Sequence, residues 1–476
     1  MNPELFKYVL IGSYALLVYW LSFMGLRKTF SAESFAIGNK DMNPVVVGIT
    51  LAASISSTAT FVINPGFVYV HGVSAYLHFA VAGALGIFTA FIVLTRGFLR
   101  VGEAQGSLTI PQWIFQRFSS RGLGLFFAII NLLSITFVVL ILVGCSLLVA
   151  GLFPVDQKTA LVLVVLFVFS YVLIGGTYAH AYTNTLQGIM MMGVAIGLFA
   201  HGLHYLGADP LTKLRAVGTD YASVYNAGST LYYDFFSVFL SGFVISFALM
   251  LQPHILTKVL YLRGSGDTTK FITTTVVSGS VFMLMLMLGF YARLAGYEID
   301  AQDAVVREYL LREFMGSAGG EIVLAFIFVA LLAAGMSTLD GILVSLSAMV
   351  VTDILKPMGL ADRHGLLVSR CVLVGVGLIG LWLAWNPPAL VGLFAQTGVY
   401  GLAAASIAPI LLGVWLKGAV PLWVIAPAAF IGLATHLTGN LFLGVTNPAV
   451  SATYGIFAAL GWSTVALLFR QAGTRI

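Results

Sequence analysis

The run Leu331-Leu-Ala-Ala-Gly-Met-Ser-Thr-Leu-Asp-Gly341 places Ala334, Ser337 and Thr338 at i, i+3 and i+4. That spacing puts them on one face of a helix, so a backbone carbonyl and two hydroxyls are presented together without a formal charge. Hard cations take oxygen ligands, and uncharged oxygens hold an ion weakly enough to release it, as transport requires. A second run supplies the complement. Gly48-Ile-Thr-Leu-Ala-Ala-Ser-Ile-Ser-Ser-Thr-Ala-Thr-Phe-Val-Ile-Asn-Pro-Gly66 carries a string of hydroxyls, then Asn-Pro-Gly, inside one apolar stretch. Hydroxyl side chains compete for helical carbonyls and proline removes a donor and clashes with the preceding turn. If this helix unwinds after Ser56, the carbonyls of Ala53 and Ser56 are freed to face Ser337 and Thr338.

A third stretch, Leu251-Gln-Pro-His-Ile-Leu-Thr257, interrupts another apolar run in the same way. Proline and glycine also merely kink membrane helices, and a Ser-Thr pair is commonly helix–helix glue. Two breaks at corresponding places in the two halves of a chain point instead to a transport site, where helix ends and freed carbonyls hold ions and substrate. The candidate solute contacts are Ser57, Thr58 and Thr60 at the first break, Ser246 and Gln252 at the second, and Gln396 and Tyr400 on a later span. Helix N-termini at such breaks favour a carboxylate.

The elements that must position these residues are membrane helices. Of 476 residues, 59% are hydrophobic and 9% charged, with mean hydropathy +1.00; soluble domains carry roughly 25% charged residues. Backbone in hydrocarbon must bond internally, which leaves helices or a closed barrel. Unbroken apolar runs such as Leu125–Leu152 exclude the alternating pattern of barrel strands. The spacing predicts thirteen spans, near 5–25, 43–71, 76–99, 122–152, 159–177, 181–206, 232–256, 269–295, 321–353, 366–385, 388–416, 419–441 and 449–469. Spans two to six and seven to eleven are the expected inverted halves. The first stretch lacks a basic leader and a small-residue cleavage site, so it is kept as a span.

The net charge of +5 reflects topology and not a nucleic-acid footprint. With the N-terminus outside, 16 basic residues fall inside (Arg27, Lys28, Lys40, Arg96, Arg100, Arg117, Arg121, Lys258, Arg263, Lys270, Lys356, Arg363, Arg370, Lys417, Arg470 and Arg475) and 7 outside. The positive-inside rule therefore predicts an outer N-terminus and a cytoplasmic C-terminus in the plasma (cytoplasmic) membrane. No arginine or lysine is expected mid-membrane. Asp340 is the acidic side chain expected deep in the bilayer, a structural or gating group first and a proton carrier second. His78 and His254 are expected as hydrogen-bonding residues near span ends. Cys145 and Cys371, in apolar runs, are expected as small packing residues. Two amphipathic pieces, Leu108–Phe118 and Asp303–Phe314, are expected to lie along the surface.

At Ala53-Ser-Ile-Ser-Ser through Pro65-Gly66, Gln252-Pro-His-Ile-Leu and Ala334-Gly-Met-Ser-Thr-Leu-Asp340, the chain resembles the sodium:solute symporter family, as does Ala408-Pro-Ile-Leu-Leu-Gly-Val-Trp415. The resemblance covers essentially the whole chain. It implies an all-α membrane protein with a leucine-transporter-like 5+5 inverted-repeat core and 13 transmembrane helices: 1–42 a leading helix and loop, 43–416 the transport core, 417–476 two trailing helices and a short tail. It also implies Na+ held by the carbonyls of Ala53, Ser56 and Ala334 and the hydroxyls of Ser337 and Thr338. Two departures matter. Many members have aspartate where this chain has Asn184, in Tyr182-Thr-Asn, which leans towards one sodium per cycle. Leu140, Ile245 and Leu249 stand where proline carriers place aromatics, which argues for a more apolar pocket.

The expected function is sodium-coupled symport of a small monocarboxylate or apolar amino acid; the oligomeric state is not legible. A proton-coupled carrier of the same fold and a membrane sensor are the alternatives, the sensor disfavoured because the chain ends shortly after the last span. No His-Glu-x-x-His, Gly-x-Ser-x-Gly or paired aspartates suggest an enzyme, and no filter repeats or charge rings suggest a channel.

Overall fold

The structure, a computed structural model, describes residues 3–29, 41–105, 109–360, 365–416 and 418–473. Lys40, Arg363, Lys417 and Arg475 of the charge count, and Leu108 of the inner amphipathic piece, lie outside the described residues.

Apolar composition becomes helix throughout. The spans are α1 (Glu4–Leu26), α2 (Pro44–Ile55 and Ala59–His71), α3 (Val73–Phe98), α4 (Arg121–Leu152), α5 (Gln157–Ile174), α6 (Thr177–Leu206), α7 (Phe236–Leu249 and His254–Tyr261), α8 (Thr268–Leu294), α9 (Gly319–Met358), α10 (Gly365–Ala384), α11 (Val391–Trp415), α12 (Leu422–Leu441) and α13 (Pro448–Arg470). Among the described residues, eleven helices are each long and apolar enough to cross a membrane, and thirteen spans result if the bent pairs α2 and α7 count as one each. The only bridge among them that is not helical pairs Met42 with Leu262, just before α2 and just after α7. It joins the start of the first broken helix to the end of the second.

Local chemistry sets the helix starts. The Asn43 side chain accepts from Val45 N at 2.9 Å, with Pro44 in the first turn, where its missing donor costs nothing. Ser317 caps α9 through Gly320 N at 3.0 Å. Burial then ranks the spans: α11 and α9 bury 83% and 78% of their most apolar windows, α1 only 22%. The centre of the bundle is therefore built on α9 and α11, with α1 at the periphery facing lipid.

Both interrupted spans are bent, α2 by 51° and α7 by 67°. In α2 the break falls at Ser56–Thr58, and not at Asn64-Pro65. Ser56 still donates its N–H to Ala52 but turns out of helical geometry at ψ 65°. Pro65 is absorbed because the preceding turn, Ala59–Ile63, widens to a π-turn, and the second half of α2 runs on through it to His71. A widened turn of this kind moves the carbonyl that a proline ring would otherwise strike.

Of the two loop helices, Ile110–Phe118 and Val305–Phe314 both form, each with one face inward: Trp113 and Ile114 in the first, Val306 and Tyr309 in the second, are fully buried. Cys145 is buried against Thr58, whereas Cys371 is exposed on the outer face of α10 and packs nothing inside.

Candidate functional site

The first half of α2 ends against the middle of α9. Ser337 Oγ lies 3.0 Å from the Ala53 carbonyl and 2.8 Å from the Ala334 carbonyl. A hydroxyl has one proton, so it satisfies one of these carbonyls and leaves three oxygens crowded together. Thr338 Oγ1 donates to the Ser54 carbonyl at 2.8 Å. All of these residues are buried. Behind this cluster α9 lies close against α4 and Thr58 because position 335 is glycine: a Cβ there would stand 2.2 Å from Cys145 Sγ and 2.5 Å from Thr58 Oγ1.

The structure thus brings Ala53, Ala334, Ser337 and Thr338 together. Ser56 sits at the C-cap, two residues beyond the carbonyl that Thr338 reaches. Ser54 takes the place next to Ala53, and sequence reasoning did not single it out. Its Oγ donates to the Ser337 carbonyl at 3.2 Å and accepts from Asn184 Nδ2 at 3.0 Å. Asn184 Nδ2 also donates to that same Ser337 carbonyl at 2.6 Å. A carbonyl can only accept, so the amide orientation is fixed by its partner. The hydroxyl string Ser54-Ile-Ser56-Ser57 was the available signal, but a string does not say which member faces inward.

One further donor corrects the topology count. Lys258, assigned to the cytoplasmic face by the positive-inside rule, is fully buried, and its Nζ donates to Ser54 Oγ at 2.6 Å. The 67° bend of α7 folds the segment after Gln252 back into the bundle, which no linear charge count registers. The expectation that no lysine lies inside the apolar interior fails with it. Asp340, also fully buried, accepts from Tyr171 OH at 3.3 Å and lies 2.8 Å from His180 Nδ1.

Beside the oxygen cluster lies a cavity of about 110 Å³. Its wall includes Thr60, Leu140, Ser246, Leu249, Gln252, Gln396 and Tyr400 from the candidate set, and Ser54, Asn64, Phe79, Phe137, His78 and His254 in addition. The other three candidates lie elsewhere. Ser57 accepts from Ala59 N at 3.1 Å and so starts the second half of α2; Thr58 packs against Gly144 and Cys145 of α4; Ile245 is buried in the apolar core. His78 and His254 are buried, each 3% exposed, and not interfacial. His78 Nδ1 stands 2.9 Å from the Ser237 carbonyl and 3.1 Å from that of Val238. It must therefore carry the proton, which leaves Nε2 of the neutral ring an acceptor. Gln252 Oε1 and His254 Nε2 are buried without a hydrogen-bond partner, so the cavity wall retains polar capacity for a solute or water.

Ser54 belongs to both constructions: it is bonded to Ser337 and Thr338, and it lines the cavity. Neutral oxygens of this kind suit an alkali cation, and a small, mainly apolar cavity with a few convergent polar groups suits a small solute.

The chain matches the model of the sodium:solute symporter family over residues 35–421. It is 24% identical over 443 residues to a sodium/pantothenate symporter of Haemophilus influenzae, covering 90% of this chain and 89% of that one. It is 24% identical over 383 residues to a high-affinity proline transporter of Bacillus subtilis, covering 77% and 78%. A Na+-coupled sialic acid symporter solved in a substrate-bound outward-open state superposes with a TM-score of 0.75 at 15% identity, over 97% of this chain and 96% of that one. A nucleobase-cation symporter in a closed conformation superposes at 0.57, also at 15% identity, over 91% and 93%.

Proposed function

The chain belongs to the sodium:solute symporter family and is a transporter, not an enzyme, and we propose that it couples one sodium site to a small monocarboxylate or an apolar amino acid by alternating access. The observation that carries this reading is the double position of Ser54, in the wall of the cavity and on the oxygens of Ser337 and Thr338. Occupying either place fixes the end of the first half of α2, and whatever fixes it favours the other occupant. That is reciprocal coupling in the thermodynamic sense.

In this reading the carbonyls of Ala53, Ser56 and Ala334 and the hydroxyls of Ser337 and Thr338 take the sodium, with the Ser54 carbonyl within their reach. To do so the two hydroxyls turn their protons away from the carbonyls they now touch. The solute lies against Thr60, Ser246, Gln252, Gln396 and Tyr400, with Leu140 and Leu249 forming apolar wall. A cavity of about 110 Å³ supports a small solute over one the size of a sugar acid. His78 offers it an acceptor, so a bound hydroxyl or N–H group is favoured.

The inverted-repeat core over 43–416, and an outer N-terminus in the cytoplasmic membrane, belong to the same proposal. With Lys258 withdrawn, 15 basic residues inside face 7 outside, so the charge bias supports that orientation as before. The test is uptake of a labelled panel of small carboxylates and amino acids into vesicles holding the purified protein. A sodium gradient should drive accumulation of one class. Equal uptake with and without it removes the symport reading, and accumulation driven by a proton gradient alone replaces it with a proton-coupled carrier.

A further inference from the structure

Ser54 Oγ has its lone pairs engaged by two nitrogen donors: the Lys258 ammonium at 2.6 Å and the Asn184 amide at 3.0 Å. The same amide donates to the Ser337 carbonyl at 2.6 Å. Two oxygens next to the proposed sodium ligands are thus already occupied by N–H groups, one of which carries a full charge. We propose that Lys258 is a tethered cation that fills a second cation position beside the sodium oxygens and so holds the carrier to one sodium per solute. The inference rests on the sodium-symport reading above.

Charge balance argues for it. A buried ammonium is costly unless a counter-charge stands near it, and the buried Asp340, next to Gly341 on α9, is placed to provide one. A Cβ placed on Gly341 would stand 3.5 Å from Lys258 Nζ and 3.3 Å from His180 Nε2. The ammonium and the imidazole therefore share one space beside the Asp340 carboxylate. The other ionisable neighbours are Tyr171 on α6's preceding span α5, His254 and Tyr261 on the segment that carries Lys258, and Tyr14 of α1, bonded to Gln187. The first half of α2 contributes hydroxyls and carbonyls but no ionisable residue, and Arg96 of α3 is exposed. One carboxylate thus balances one fixed ammonium, and a sodium ion on neutral oxygens adds one more positive charge. A second sodium would put three cations against one carboxylate at close range, which is strongly unfavourable in a medium of low dielectric.

The Asn184 side chain completes the exclusion. Its carbonyl, Oδ1, is buried without a partner while its N–H groups point at the two oxygens a second ion would need. Removing the ammonium and converting this amide to a carboxylate would turn both oxygens and two carboxylate atoms towards a cation.

The test counts bound ions at equilibrium on purified protein with radiolabelled sodium, independently of uptake. One sodium per chain is expected at saturation in the wild type, and still one in Asn184→Asp, where the ammonium remains. Two are expected in Lys258→Met combined with Asn184→Asp. Half-saturation in Lys258→Met alone should fall about tenfold once the like charge is gone. Two sodium ions on the wild type or on Asn184→Asp overturn the proposal, as does a folded double variant that still binds one. Should the double variant not fold, the charge moved per solute in wild-type vesicles decides: one charge per zwitterionic amino acid, or none per monocarboxylate anion, supports the proposal, and one charge more in either case overturns it. No sodium bound to the wild type at all removes the symport reading itself, a different and recognisable failure.

Discussion

Ser337 Oγ stands 3.0 Å from the Ala53 carbonyl, 284 residues away in the chain. This contact ties the end of the first half of α2 to the intact helix α9, and with Thr338 on the Ser54 carbonyl at 2.8 Å it defines the oxygen cluster. Replacing Ser337 by alanine removes one oxygen from the cluster and leaves one of the Ala53 and Ala334 carbonyls without its donor. A polar contact to a charged partner contributes about 1.5–3 kcal/mol. The half-saturating sodium concentration for uptake should therefore rise roughly ten- to a hundredfold, with a similar rise in Thr338→Ala and a smaller one in Thr338→Ser. Sodium titrations of uptake check this; unchanged values in both alanine variants would place the ion elsewhere.

Gly335 is the point of closest approach behind the cluster. A Cβ there meets Cys145 Sγ at 2.2 Å and Thr58 Oγ1 at 2.5 Å, so even alanine forces α9 away from α2 and α4. Overpacking of this kind costs about 1–3 kcal/mol, and the displacement falls on Ala334 and Ser337 on either side. Gly335→Ala should weaken apparent sodium affinity and lower the melting temperature together. Cys145→Ala in the same chain should recover part of both, since it removes the nearer obstacle. A double variant no better than Gly335→Ala would show that the clash is not what matters there.

The sequence was most informative where chemistry is written in local spacing. Ser337 and Thr338 at i+3 and i+4 from Ala334 must share a face, and the structure puts all three beside α2. Seven of the ten candidate solute contacts share one cavity. What the sequence hid depends on the directions of bent segments. Lys258 reads as a flanking charge until the 67° bend turns it inward. The opening after Ser56 falls where the hydroxyl string puts it; what stays hidden is that a widened turn absorbs Pro65 and lets the second half-helix run on to His71. Ser54 and Ser57 differ by three residues, but one bonds α9 and the other only starts the next half-helix. Which hydroxyl faces inward is set by the angle of the broken helix, a tertiary quantity with no local signature.

Leu140 and Leu249 form part of the apolar wall of the cavity. Leu140→Ala enlarges a space of about 110 Å³ without touching the oxygen cluster. The smallest transported solute should lose contact worth about 1–3 kcal/mol, or roughly ten- to two-hundredfold in the concentration needed for half-maximal uptake. Bulkier members of the same solute class should gain relative to it. Competition of unlabelled solutes against one labelled solute measures the shift, while the half-saturating sodium concentration should move less than in Ser337→Ala. A loss of sodium affinity as large as that of Ser337→Ala would mean that the two regions are not separable.

Asp303, on the short helix Gln302–Ala304 between α8 and α9, holds the start of α11: its Oδ2 accepts from Val391 N at 3.1 Å. Burial raises the pKa of this carboxyl above the ordinary range, and the Val391 bond opposes that rise without cancelling it. Because the folded state holds the proton more tightly than the unfolded chain, the stability this group contributes is fully present below its unfolded pKa of about 4. It is lost as pH rises through the raised folded value. Asparagine keeps an acceptor for Val391 N and never ionises. At neutral pH Asp303→Asn should melt at a higher temperature than the wild type, and the gap should close as pH falls towards 4. Melting curves of the two proteins in detergent across that range measure it. A gap that widens in acid would show the opposite balance, with the bond to Val391 outweighing the cost of burying the charge.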